Sequence, residues 1–231
     1  MNKIFAIGDL HLSFTSEKPM GIFGPNWDDH HLKIETNWRN TVSADDTVFL
    51  LGDLSWGLKF EEAAADLEWI HRLPGRKVLL KGNHDLWWQS VTRLRALYDD
   101  MIFIQNDSVA CDGVALCGSR GWLTPQEPSF KESEDRKIYE RELIRLRLSL
   151  EDAKRKGAAH LIAGLHFAPS ARPELRSGFM ELLEAFDVDQ VVYGHLHGRD
   201  AFKKGVKDER FGIQYSLVSA DYIAFNPLRI V

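Results

Sequence analysis

Residues 77–88 read Lys77-Val78-Leu79-Leu80-Lys81-Gly82-Asn83-His84-Asp85-Leu86-Trp87-Trp88, and the order of residue types in that stretch decides how the chain is built. Residues 77–80 are a short apolar run of the kind that forms a strand covered on both faces. Gly82 permits a sharp exit, and three adjacent polar side chains follow, each of which must find a partner or water. A plain surface turn needs none of them. The stretch therefore reads as a buried strand that delivers chemistry at its C-terminal end.

The arrangement recurs on both sides of it. Residues 3–8 form an apolar run ending at Asp9, with His11 two positions on; residues 47–51 end at Gly52-Asp53; residues 160–164 precede His166; residues 190–193 precede Gly194-His195-Leu196-His197. Any one of these is weak evidence, because Asp, Gly and His are ordinary residues at strand-to-loop turns. Five strand ends that all present Asp, His or Asn are a different matter, since ligand sites in open α/β sheets gather at that edge. The side chains share hard oxygen or imidazole donors, which suit Mn, Fe, Zn or Mg. No cysteine is among them, which argues against a structural zinc site.

Helical segments are expected between these strands. Residues 29–42 and 61–73 read as crossovers, the second with Ala64, Leu67 and Ile70 on one face and Pro74-Gly75 as its stop. Residues 86–98 are expected to form another helix. The longest, residues 133–156, places Tyr139, Leu143, Leu146, Leu150 and Ala153 along one stripe, with Gly157 to end it. From Ile102 onwards the character shifts towards β-structure, with an Asp112-Gly113 hairpin signal and a later series over residues 211–231. Strands in two packed sheets fit this mixture better than one doubly wound sheet. With no internal repeat and no linker, residues 1–231 read as a single domain. Two long loops, residues 12–28 and 120–131, are candidates to lie over a site.

Bulk composition narrows the classes. A chain of 231 residues with 44% hydrophobic and 27% charged residues is an ordinary globular protein able to bury its own core. The formal charge of −5 disfavours a general nucleic-acid binder. The apolar run before Asp9 is too short for a secretory segment, and none reaches membrane-spanning length. Across the hairpin, Cys111 falls opposite Val114 and Cys117 opposite Ser108, so no disulfide is expected and a reducing cytoplasm fits.

The ordered series Asp9-x-His11, Gly52-Asp53, Gly82-Asn83-His84-Asp85, His166 and Gly194-His195-x-His197 resembles the calcineurin-like metallophosphoesterase family over positions 9 to 197. The resemblance implies an α/β fold, a four-layer α/β/β/α sandwich of two mixed sheets flanked by helices. It implies two divalent metal ions, with manganese favoured: Asp9, His11 and His197 holding one, Asn83, His166 and His195 the other, and Asp53 bridging both. His84 would act on the substrate, oriented by Asp85. The implied activity is hydrolysis of small phosphomonoesters or phosphodiesters by a hydroxide shared between the metals, with His84 as general acid or charge stabiliser. Trp56 and Arg120, and less strongly Trp87, Trp88 and Trp122, are candidate walls for a flat organic group such as that of a nucleotide, although large aromatics mostly serve cores. A nuclease, or a metal-binding scaffold without turnover, are the competing readings.

Overall fold

The structure, a computed structural model, describes residues 2–16 and 18–231. The strands are β1 (Ile4–Ile7), β2 (Thr47–Leu51), β3 (Arg76–Leu80), β4 (Met101–Phe103), β5 (Val109–Cys111), β6 (Val114–Ser119), β7 (His160–Leu165), β8 (Gln190–Tyr193), β9 (Asp208–Arg210), β10 (Ile213–Leu217) and β11 (Leu228–Arg229), and the apolar runs before Asp9, Gly52, Gly82, His166 and Gly194 become β1, β2, β3, β7 and β8. Between them lie α1 (His30–Thr41), α2 (Phe60–His71), α3 (Val91–Leu94), α4 (Glu132–Arg155), α5 (Gly178–Ala185) and α6 (Arg199–Phe202). One sheet has the order β11-β1-β2-β3-β4, the other β5-β6-β7-β8-β10-β9. Both are parallel in the middle, while β11, β5 and β9 run antiparallel at the edges.

Side chains alternate across each strand, and in the central strands, such as β1, β2 and β6, both faces are buried. Phe5 and Ile7 of β1 pack with Ile34 and Trp38 of α1 and Leu67 and Ile70 of α2. Ile4 and Ala6 point the other way, joining Phe49, Leu80, Leu116, Ile162 and Val192 in the layer between the two sheets. On the far side, β6, β7 and β8 pack against Tyr139, Leu146, Leu150 and Ala153 of α4 and Phe179 and Leu183 of α5. Three apolar layers thus separate helix, sheet, sheet and helix, the four-layer sandwich that the resemblance implies. Gly164 sits where the two sheets meet: an added Cβ there would strike the Phe49 ring and Leu80.

The differences from expectation are local. The α2 face that faces the sheet is Ala63, Asp66, Leu67 and Ile70, one step round from Ala64. Residues 86–98 do not form one helix; only Val91–Leu94 is helical. The chain before it is tied down by its side chains, with the Trp87 indole bonded to Asp85 and both Trp87 and Trp88 drawn into the core. Helix α5 was not expected; Ser177 caps it by accepting the Met180 amide. The series over residues 211–231 contains only β10 and β11 as strands, joined by turns. Cys111 pairs with Val114 as the hairpin spacing requires, and both cysteines are free and buried. Among the described residues, no helix is long and apolar enough to cross a membrane.

Candidate metal centre

Each candidate ligand leaves the C-terminal end of a strand, and the backbone bends sharply to aim it. Asp9, His11, Asp53 and His195 all have positive φ, between 45° and 70°. Non-glycine residues rarely occupy that region, and such strain gathers at functional sites. Tight backbone approach completes the aim. A Cβ on Gly82 would collide with the Asp53 carboxylate and amide, so only glycine fits at that turn.

Two groups of donors result. In the first, His11 Nε2 and His197 Nε2 face each other at 3.3 Å, and Asp9 Oδ1 lies 3.6 Å from His197 Nε2. In the second, His166 Nε2 is 2.8 Å from Asn83 Oδ1 and 3.4 Å from Asp53 Oδ2, with His195 completing the set. Asp53 stands between them, because the same Oδ2 is 3.8 Å from His11 Nε2. Its other oxygen accepts the His84 amide at 2.8 Å, which turns Oδ2 towards the histidines. All seven side chains expected as ligands are therefore brought together.

The electrostatics describe a place made for cations. Burial drives His11 and His195 down to about 3, so both rings are neutral and offer lone pairs. Burial also opposes charge on His166 and His197, but the facing carboxylates win: Asp53 raises His166 to about 9, and Asp9 with Asp221 raises His197 to about 10. Burial pushes Asp9 and Asp53 up, and the neighbouring histidines outweigh it: His197 and His166 bring Asp9 down to about 2, while His166 and His11 depress Asp53 further. Buried carboxylates are thus balanced by protons on two imidazoles. Asp9 Oδ1 is buried without a hydrogen-bond partner, and two imidazole nitrogens converge on one point. Divalent cations suit this donor set: they would take the place of those protons and satisfy Asp9 Oδ1.

The remaining candidates divide. His84 lies at the mouth with its ring 4.3 Å from Trp56, and Trp56 stacks on His11 at 4.8 Å. Both line a cavity of about 330 Å³ together with Asp53, Phe23, Leu196 and His197. Asp85 does not orient His84. It accepts the amides of Asp53, Leu54, Ser55 and Gly82 and the Trp87 indole, so its acceptor capacity is filled by two loops that it locks together. Burial and the Asp53 charge push its carboxyl up to about 6, against the pull of the Gly82 and Leu54 amides. Trp87 and Trp88 lie in the core, away from the cavity. The Arg120 guanidinium turns away to Glu142, 3.3 Å distant, and over the Trp122 ring, whose indole N–H donates to Asp135. Arg120 serves the centre through its carbonyl, which accepts the amides of His166 and Phe167. Of the two long loops, residues 12–28 do reach the site: Phe23 and Trp27 pack against His197.

Two supporting groups escaped the sequence reading. Asp221 accepts from His197 Nδ1 at 3.0 Å and from the Gly198 amide, fixing which nitrogen of His197 faces inward. The Leu51 carbonyl does the same for His166 Nδ1 at 2.8 Å. Asp221 follows β10 as Asp9 follows β1, so the strand-end pattern could have found it; a carbonyl leaves no mark in a sequence.

Two curated relatives, the gene 66 proteins of Mycobacterium phages L5 and D29, are 34% and 33% identical over 85 and 102 residues, 37% and 42% of this chain. The matches span 41% and 49% of those proteins' own lengths. Among solved structures, a protein of unknown function from Aquifex aeolicus shares the fold with a TM-score of 0.54 at 17% identity, over 99% of this chain and 96% of that one. The phosphopantetheinyl hydrolase of Mycobacterium tuberculosis does so with 0.52 at 16% identity, over 94% and 89%. The calcineurin-like phosphoesterase family matches residues 2–199, a span that includes the seven candidate ligands but not Asp221. The chain belongs to the calcineurin-like phosphoesterase family.

Proposed function

We propose that this protein, acting as one domain over residues 1–231, hydrolyses small phosphomonoesters or phosphodiesters with two divalent cations, manganese first among them. Asp9, His11 and His197 would hold one cation and Asn83, His166 and His195 the other, with Asp53 shared. The observation that carries this reading is the position of Asp53 Oδ2, within 3.4 Å of His166 Nε2 and 3.8 Å of His11 Nε2, where one oxygen serves both donor groups. Bound cations would acidify water and withdraw charge from the phosphoryl oxygens.

The chain's own residues do the rest. Asn83 contributes a neutral oxygen, so the donor set does not repel an anionic ester. His84 has no ligand role in this assignment; at the cavity mouth it is free to stabilise developing charge or to give a proton to the leaving oxygen. Trp56 and Phe23 supply an apolar wall for the organic part of the ester, and a flat group such as a nucleotide base would stack there. Asp85 acts as a positioning residue, since the loop it locks carries Asp53. The two buried free thiols suit a reducing cytoplasm.

Turnover of a chromogenic aryl phosphate and of its diester, measured with added manganese, tests the proposal. Hydrolysis of at least one is expected. Bound metal with activity on neither would overturn the reading in favour of a scaffold.

A further inference from the structure

A second cleft, of about 220 Å³, opens beyond the ends of β3 and β6 and is separate from the cavity that holds Trp56 and His84. Lys81, Arg120, Arg141 and Arg145 line it, with Glu142 as the one carboxylate. The protein as a whole carries a formal charge of −5, so this concentration of cations runs against the overall balance. Arg120 and Arg145 both approach the same oxygen of Glu142, at 3.3 Å and 3.0 Å. Glu142 is fully buried and cannot neutralise all four cations. Among the described residues, the ion pairs of the cleft are those of Arg120 and Arg145 with Glu142, and neither the buried Arg120 Nε nor the buried Glu142 Oε2 has a hydrogen-bond partner. Gln105 and Asn106 add amide side chains to the wall.

Glu142 sets one negative charge against four positive ones, and the excess positive charge repels itself unless a further anion joins it. Guanidinium groups present paired N–H donors that match the oxygens of a phosphate, and a lysine ammonium adds a point charge. We propose that the Lys81–Arg120–Arg141–Arg145 cleft is a binding site for a phosphate-type oxyanion. Lys81 directly precedes the Gly82-Asn83 turn, and the Arg120 carbonyl holds the His166 amide, so the backbone of this cleft is continuous with that of the candidate metal centre. Such an anion has two sources: a second phosphate on the substrate, or free inorganic phosphate. Binding at the cleft does not depend on turnover at the metal centre.

Calorimetric titration of the full, manganese-loaded chain with inorganic phosphate and with pyrophosphate tests the site. Phosphate binding is expected to survive Asp53→Asn and, in that background, to weaken by roughly tenfold or more when Arg141→Glu and Arg145→Glu are added. Should that combination fail to fold, Arg141→Glu alone changes an exposed residue and is expected to weaken binding roughly threefold. Binding that disappears entirely in Asp53→Asn, or that is unaltered in the cleft variants, overturns the proposal. The source is read from KM. If an ester with two phosphates has a lower KM than the same ester with one phosphate and loses that advantage in the cleft variants, the anion is part of the substrate. If the two esters do not differ while free phosphate still binds at the cleft, the anion is the free ion.

Discussion

Asp53 carries two demands on one side chain. Its Oδ1 is fixed by the His84 amide, its own amide is fixed by Asp85, and its left-handed backbone leaves Oδ2 pointing between two sets of imidazoles. Replacing it with Asn keeps the shape and removes the charge that His166 and His11 face. Asp53→Asn is expected to weaken both metal sites and abolish turnover, as elemental analysis and an activity assay would show; full metal content with full turnover would contradict the shared role. His84 differs, because its ring meets Trp56 at the mouth. His84→Ala is expected to retain metal while turnover falls about 10²–10⁴-fold, the usual scale for a general acid. Loss of metal would make His84 a ligand. Asp221 works at one remove: Asp221→Ala frees His197 to rotate or change tautomer, and metal affinity measured by competition with a chelator is expected to fall about 10–100-fold.

Elements place these residues through packing that is itself partly polar. Helix α4 buries Tyr139, Leu146, Leu150 and Ala153 as its spacing predicts, yet Asp135, Glu142, Ser149 and Asp152 are buried on it as well. Asp152 accepts from the amide and hydroxyl of Ser108 and pairs with Lys156 and Arg155, tying the end of α4 to the chain before β5. Burial pushes its carboxyl up, but Lys156 and Ser108 prevail and hold it well below the ordinary carboxylate range. A carboxyl with a lowered folded-state pKa contributes stability above its unfolded value, and that contribution fades as pH falls through the folded value. Asp152→Asn is therefore expected to cost about 1.5–3 kcal/mol at neutral pH. The gap from wild type in thermal melts should narrow as the solution is acidified below the ordinary carboxylate pKa; a gap that widens would refute the assignment. Lys77 makes the same point about elements. In sequence it merely begins an apolar run, whereas in the fold it is buried and its ammonium caps the end of α2 through the carbonyls of His71 and Leu73.

At the scale of the whole molecule, the candidate centre links the two sheets: Asp9, Asp53 and Asn83 follow strands of one, His166, His195 and His197 strands of the other. Cations bound there would join the two sheets and favour the folded state by mass action. Manganese is expected to raise the melting temperature in a concentration-dependent way and Asp53→Asn to blunt that rise; equal rises in both would place the stabilising metal elsewhere. The sequence by itself determined β1, β2, β3, β7 and β8 and the residues at their ends, because a strand buried on both faces leaves a continuous apolar run and a turn that must satisfy three polar groups leaves Gly-Asn-His-Asp. It also determined the long α4 stripe, through the helical period. Only the tertiary structure decided which partners those residues meet. Trp87 and Trp88 lie in the core, Asp85 binds backbone amides and not His84, Arg120 turns to Glu142, and Asp221 arrives behind His197. The physical reason is that hydrogen-bond capacity and apolar area are fixed by residue type, but much of what fills them, such as the Asp53 and Leu54 amides on Asp85, Glu142 on Arg120 and Asp221 on His197, comes from chain remote in sequence, and only folding brings it near.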